Sequence, residues 1–161
     1  MILVVSDIHH NTFNLSNLLS MRNDFEHIIF LGDGERNFLH VIDQHSTDSK
    51  PINYSAVSGN CDFCSSFPDE DLIIIKNKRI FITHGHKYSV KAGYSKLIET
   101  AQSKKADILL FGHTHDTYTN YIDGLYIMNP GSLGSSYPAT FATLDITPAG
   151  IVLHTAVFNP Y

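Results

Sequence analysis

Residues 108–115 read ILLFGHTH: the apolar run Ile108 to Phe111 leads directly into Gly112, His113, Thr114 and His115. A short, wholly apolar run reads as a buried strand, and in extended chain residues two apart point the same way. Both imidazoles are therefore expected to project together from the carboxyl end of that strand. Working outward, Asp7 and His9 follow the run Ile2 to Ser6, and Asp33 follows Ile28 to Leu31 through Gly32. Asn60 follows a run from about Asn53 to Val57, and His84 follows Ile80 to Thr83. Side chains with ligand chemistry thus gather at the carboxyl ends of strands, the edge where open α/β sheets bind their ligands. A mixed set of nitrogen and oxygen donors of this kind is accepted by Mn²⁺, Fe and Zn²⁺.

The segments between these runs carry helical spacing. Leu15, Leu18 and Leu19 predict one amphipathic helix, and Phe38, Leu39, Val41 and Ile42 predict a second, before a polar loop from Gln44 to Lys50. Strand and helix therefore alternate, which implies parallel pairing. From Asp71 the pattern changes. Leu72 to Ile75 and Ile80 to Thr83 flank a polar turn at Lys76 to Arg79 and read as a hairpin, and Tyr94 to Ser103 reads as a helix. Four further strands are expected at Tyr118 to Ile122, Leu125 to Met128, Thr140 to Ile146 and Ile151 to Phe158, with turns at Asp123-Gly124 and Pro148 to Gly150. An α/β sandwich of two mixed β-sheets flanked by helices accommodates every element. With 161 residues and no linker or repeat, one domain over residues 1–161 is expected.

Composition narrows the function. Hydrophobic residues make up 43% and charged residues 17%, and no stretch has the length of a membrane-spanning helix, so no membrane partner is expected. The first strand begins at Met1 or Ile2 and leaves no room for a signal segment, which makes the cytoplasm the expected location. A net charge of −5, with Lys78-Arg79 and Lys104-Lys105 as the only adjacent basic pairs, argues against extended nucleic acid. A small anionic substrate fits better, and a homo-oligomer is compatible with all of this.

The candidate ligands are Asp7, His9, Asp33, Asn60, His84, His113 and His115. Seven such side chains on five loops suit two divalent ions better than one. A carboxylate such as Asp33 can bridge two cations, and Asn60 adds a neutral oxygen. Paired metals clamp the attacking and leaving oxygens of a phosphoryl displacement and acidify bound water, so a metal-bridging hydroxide is the expected nucleophile.

The motifs Asp7-x-His9, Gly32-Asp33, Gly59-Asn60-Cys61-Asp62, Thr83-His84-Gly85-His86 and Gly112-His113-Thr114-His115 resemble, in order and spacing, the signature of the calcineurin-like metallophosphoesterases. The likeness is nearest to the small YfcE-like phosphodiesterases and runs from Ser6 to the turn at Asn129, Pro130, Gly131 and Ser132. It implies a four-layer αββα sandwich, with Asp7, His9, Asp33 and His115 on one metal and Asp33, Asn60, His84 and His113 on the other. It also implies a dinuclear phosphodiesterase acting on a small phosphodiester. Mn²⁺ is the preferred ion, and Fe, Ni and Zn suit the same donors.

Three positions depart from the family pattern. His10 stands where glycine is usual, which places a second imidazole at the rim. Cys61 stands where larger relatives carry a histidine that touches phosphate and protonates the leaving group. The loop Leu133 to Ala139 has no basic residue, leaving Ser135, Ser136 or backbone amides for phosphate contacts. Cys61, His86 and His10 are the expected substrate-facing residues, and His86 and His10 are alternatives for the general acid.

Other features read as ordinary chemistry. His27, His40, His45 and His154 lie outside the motifs. Cys61 and Cys64 form a Cys-x-x-Cys spacing without a second pair or a redox context, and read as free thiols. Ser6 has no activating base nearby in sequence. Two rival functions remain: a non-catalytic scaffold, as in the retromer subunit that shares this fold, and a phosphomonoesterase in which Lys87 and Lys91 add positive charge.

Overall fold

Strands that are apolar along their whole length become the centres of two sheets, because only a strand covered on both faces buries every side chain. β1 (Ile2–Val5) and β6 (Ile108–Leu110) are such strands, buried at every position. The computed structural model describes residues 1–161 except Asn23, Ser135, Pro160 and Tyr161. After β1 come α1 (Thr12–Met21), β2 (His27–Phe30), α2 (Glu35–His45), β3 (Tyr54–Ala56), β4 (Glu70–Ile75) and β5 (Lys78–Thr83). A 3₁₀ turn over His86–Tyr88 and α3 (Ser95–Ser103) precede β6, and β7 (Thr117–Ile122), β8 (Leu125–Pro130), β9 (Thr140–Thr147) and β10 (Gly150–Val157) complete the chain.

The first sheet has the order β10-β9-β1-β2-β3 and the second β4-β5-β6-β8-β7. β1, β2 and β3 pair in parallel, as do β5, β6 and β8, so both sheets turn a set of strand carboxyl ends toward the same region. Antiparallel hairpins close the remaining edges, which makes both sheets mixed.

Alternation along the strands sorts side chains into three cores. Leu3 and Val5 of β1 pack with Leu15, Leu18, Phe38 and Val41 of the first two helices. Ile2 and Val4 face the other way, against Ile80, Ile82, Ile108 and Leu110 of the second sheet. Phe81, Leu109 and Ile127 on the far side of that sheet meet Leu97 and Ala101 of α3. Helix, sheet, sheet and helix therefore stack as four layers. No helix among the described residues is long and apolar enough to cross a membrane.

Three local expectations are corrected. The hairpin turn holds only Lys76 and Asn77, at φ 50° and 62°, because Lys78 and Arg79 continue the ladder opposite Ile75 and Ile74. Asn129 and Pro130 finish β8 and are not part of a turn. Strand β6 stops at Leu110, and His113 and His115 stand at φ 71° and 64°. The two imidazoles are therefore not aligned by strand alternation.

Candidate metal centre

Five of the seven predicted ligands lie in the left-handed backbone region: Asp7, His9, Asp33, His113 and His115 have φ between 45° and 71°. Non-glycine residues there carry roughly 1–3 kcal/mol of strain each, and such strain collects at functional sites. Cross-loop hydrogen bonds hold it. The amide of Asp7 donates to the Gly32 carbonyl and that of His9 to the Asp33 carbonyl, both at 2.9 Å, and Gly112 donates to the His84 carbonyl at 3.1 Å. Two motif glycines permit this approach. A Cβ on Gly59 would stand 2.0 Å from Asp33 Oδ1, and one on Gly112 would stand 2.0 Å from Ser6 Oγ.

The loops bring the predicted ligands into two adjoining groups. In one, His115 Nε2 lies 3.1 Å from Asp7 Oδ1 and 3.5 Å from His9 Nε2, and His9 Nε2 is 3.9 Å from the same Asp7 oxygen. In the other, His84 Nε2 lies 3.2 Å from Asn60 Oδ1, 3.2 Å from His113 Nδ1 and 3.5 Å from Asp33 Oδ2. His113 and His115 thus serve opposite halves. Asp7 Oδ1 is 4.0 Å from His84 Nε2, and Asp33 clusters with His9 as well as with His84, so a carboxylate stands between the halves.

The donor atoms fit cations. Asp7 Oδ2 accepts from Ser6 Oγ at 2.6 Å and from the His113 amide at 3.1 Å, whereas Oδ1 is buried and makes no hydrogen bond. A buried carboxylate oxygen without a partner is costly unless a cation faces it. His84 Nδ1 donates to the Leu31 carbonyl at 2.7 Å, so its Nε2 is the nitrogen turned toward the oxygens of Asn60, Asp33 and Asp7.

Proton affinities follow from these neighbours. Burial favours neutral His84, yet the carboxylates of Asp33 and Asp7 outweigh it and raise its pKa. The Asp7 carboxylate likewise raises that of His115. Burial and the charges of His84 and Lys91 lower His113 to about 4. Burial would raise Asp33, but His84 and the Cys61 amide at 2.7 Å hold it below the usual carboxylate range.

Around this centre, His86 packs against His84 and His113 with ring centroids 5.4 and 6.1 Å apart, and its buried Nδ1 has no partner. Burial and the charge of His84 lower its pKa. His10 is exposed and lines a cleft together with Cys61. Burial and the Asp33 carboxylate push the Cys61 thiol up to about 11. Cys61 and Cys64 are both free. Lys87 is drawn into an ion pair with Asp69, while the charge of Lys91 reaches His113 and His115. His27 and His45 bond to Ser55 and Ser16, away from the centre. Of the two serines named for phosphate contact, Ser135 lies outside the described residues.

Asp62 closes the Gly59-Asn60-Cys61-Asp62 motif, and the sequence alone assigns it no role. Its carboxylate accepts four backbone N–H groups, from Asp33, Gly34 and Gly59 at 2.8 Å and from Glu35 at 2.9 Å. It fixes the Asp33 loop and caps α2, whose own N-cap residue Gly34 has no side chain. A helix starting behind a glycine was the available signal. Asn129 works similarly, donating to the Gly112 carbonyl at 3.0 Å and accepting from the Gly131 amide at 2.9 Å. Beside the centre opens a cleft of about 550 Å³, lined by His9, His10, Arg36, Asn37, Cys61, Phe63 and their neighbours.

Known proteins resemble this chain in sequence and in fold. The family described as the calcineurin-like phosphoesterase superfamily domain matches residues 1–148. The probable metallophosphoesterase YsnB of Bacillus subtilis is 30% identical over 133 residues, spanning 82% of this chain and 74% of that protein. Phosphodiesterase YfcE of Escherichia coli is 26% identical over 167 residues, spanning 89% and 86%. A crystal structure of wild-type Vps29 with zinc, from Entamoeba histolytica, superposes with a TM-score of 0.73 at 22% identity, covering 98% of this chain and 99% of that one.

Proposed function

The chain belongs to the calcineurin-like phosphoesterase superfamily, and from that premise we propose that it is a dinuclear metal-dependent phosphodiesterase acting on a small phosphodiester. The observation that carries this reading is the buried, unbonded Oδ1 of Asp7, set among the imidazole nitrogens of His115, His9 and His84. In this reading Asp7, His9, Asp33 and His115 hold one divalent ion, and Asp33, Asn60, His84 and His113 the other. Such ions, Mn²⁺ preferred, supply Lewis acidity toward phosphoryl oxygens and make water acidic enough to attack at neutral pH.

The residues of the chain do the rest. Ser6 and the His113 amide occupy Oδ2 of Asp7, so Oδ1 keeps one direction. The Leu31 carbonyl does the same for the His84 ring. His113, held to about 4, stays neutral and ready to coordinate through the physiological range. The Cys61 thiol keeps its proton at neutral pH and is a weak acid toward a departing alkoxide. His10, on the cleft beside Cys61, and His86, against the His84 half, are the imidazoles available for that proton.

The test uses purified protein stripped with chelator and reloaded with Mn²⁺. Hydrolysis of bis(p-nitrophenyl) phosphate should depend on the ion, disappear in Asp33→Asn, and exceed hydrolysis of p-nitrophenyl phosphate. Bound metal without turnover of any ester would favour the scaffold reading. Preference for the monoester would move the assignment to a phosphomonoesterase drawing on Lys91.

A further inference from the structure

The cleft beside the metal centre has a composition that its position does not require. We propose that it is the subsite for a nucleotide arm of the diester: an aromatic base stacks on Phe63 and a second anionic group meets Arg36, while the scissile phosphate lies at the Asp/His centre. The proposal rests on the phosphodiesterase reading above and adds the substrate class.

Continuity places one ligand across both regions. His9 and Cys61 line the cleft, and the same residues cluster with Asp33 at the centre. Phe63 is 83% exposed. It is held on a segment pinned on both sides. Asp62 before it spends its carboxylate on four backbone amides. Beyond it, Glu35 accepts from Ser65 and, at 3.0 and 2.7 Å, from the amide and hydroxyl of Ser66. A bare aromatic face on an anchored loop is a platform already ordered before a ligand arrives.

Charge points the same way. Both acids that line the cleft, Glu35 and Asp62, are committed to these internal bonds, whereas Arg36 makes no ion pair among the described residues. A guanidinium left over at the mouth of a cleft suits a phosphate or carboxylate, which it grips in bidentate fashion. The volume of about 550 Å³ is that of a small-molecule site. The net charge of −5 argues against a polymer continuing beyond it. Base stacking explains why an aromatic residue, and not an aliphatic one, would be kept exposed there.

The chain has no tryptophan, so Phe63→Trp introduces a single indole that retains the platform and reports on it. With Mn²⁺ present, adenosine 5′-monophosphate should quench its fluorescence and ribose 5-phosphate should not. Kinetics supply the second readout, comparing the p-nitrophenyl ester of thymidine 5′-monophosphate with methyl p-nitrophenyl phosphate, which has the same leaving group and no base. Phe63→Ala should lower the preference for the thymidine ester by roughly tenfold or more in kcat/KM. Arg36→Gln should lower the further preference for a thymidine ester that carries a 3′-phosphate. If wild-type protein hydrolyses the methyl ester but neither variant changes these ratios, and adenosine 5′-monophosphate leaves the indole unquenched, the cleft assignment is wrong and the phosphodiesterase reading stands. If no ester is hydrolysed with any divalent ion, the phosphodiesterase reading fails and this one falls with it.

Discussion

The Asp62 carboxylate accepts the backbone N–H of Asp33 at 2.8 Å, so a residue outside the proposed ligand set holds the one that both metals would share. Three further amides converge on the same carboxylate. Removing it in Asp62→Ala leaves α2 uncapped and the amide of the left-handed Asp33 without its acceptor. Hydrogen bonds to a charged group contribute about 1.5–3 kcal/mol, so a loss of roughly 3 kcal/mol and a fall in Tm of roughly 6–12 °C are expected. Metal affinity should fall as well. Native Tm and native metal affinity in this variant would remove Asp62 from the account.

Asp33 clusters with both His9 and His84, whereas His115 approaches only the half with Asp7 and His9. Elemental analysis should therefore find Asp33→Asn depleted in both metals and His115→Ala depleted mainly in one. Near wild-type content of both metals in Asp33→Asn would refute the shared role.

Cation binding should depend on pH more steeply than for ordinary histidines. Carboxylates raise the pKa of His84 and His115, so protons compete with a metal from above the usual imidazole value. In the ion-free chain these two groups contribute stability below their unfolded pKa of about 6.5, and that contribution is lost as pH rises through their raised folded values. His113, lowered to about 4, has the opposite sign: its contribution is present above the unfolded value and is lost as pH falls toward the folded one. Binding at a hundredfold excess over Kd stabilises by about 2.7 kcal/mol. The difference in Tm between Mn²⁺ and chelator should therefore widen from pH 6 to pH 8.5, as followed by thermal denaturation. A difference independent of pH would show that His84 and His115 do not coordinate.

The thiol of Cys61, pushed up to about 11, is poorly matched to protonate a leaving group at neutral pH. The rate should depend steeply on leaving-group pKa, with aryl diesters far ahead of alkyl ones. Cys61→His should flatten that dependence by roughly 10²-fold for the poorest leaving groups. A wild-type series already flat would assign the proton to an imidazole, and alanine substitutions at His10 and His86 would then say which.

Much of this arrangement was legible in the residues. Runs such as Ile2 to Val5 and Ile108 to Leu110 carry their own burial pattern, because a central strand admits only apolar side chains on both faces. The spacing of Leu15, Leu18 and Leu19 marks the buried stripe of α1 in the same way. The seven ligand-type residues were identifiable because imidazole and carboxylate side chains recur after those strands, and local order in a chain is enough to show recurrence.

Which atoms meet was decided only by the tertiary structure. Strand alternation would have sent His113 and His115 the same way, yet left-handed backbone turns each toward a different half, beside His84 and beside Asp7. Those dihedrals are unfavourable locally and persist because amides and carbonyls of distant loops pair across them, as Asp7 does with Gly32 and Gly112 with His84. The four bonds to Asp62 arise in the same manner, and Phe63 and Arg36 come to line one cleft only in the folded chain. Neighbours in sequence set the strands and helices through periodic burial, whereas the site depends on hydrogen bonds between loops that are close only after the two sheets have packed.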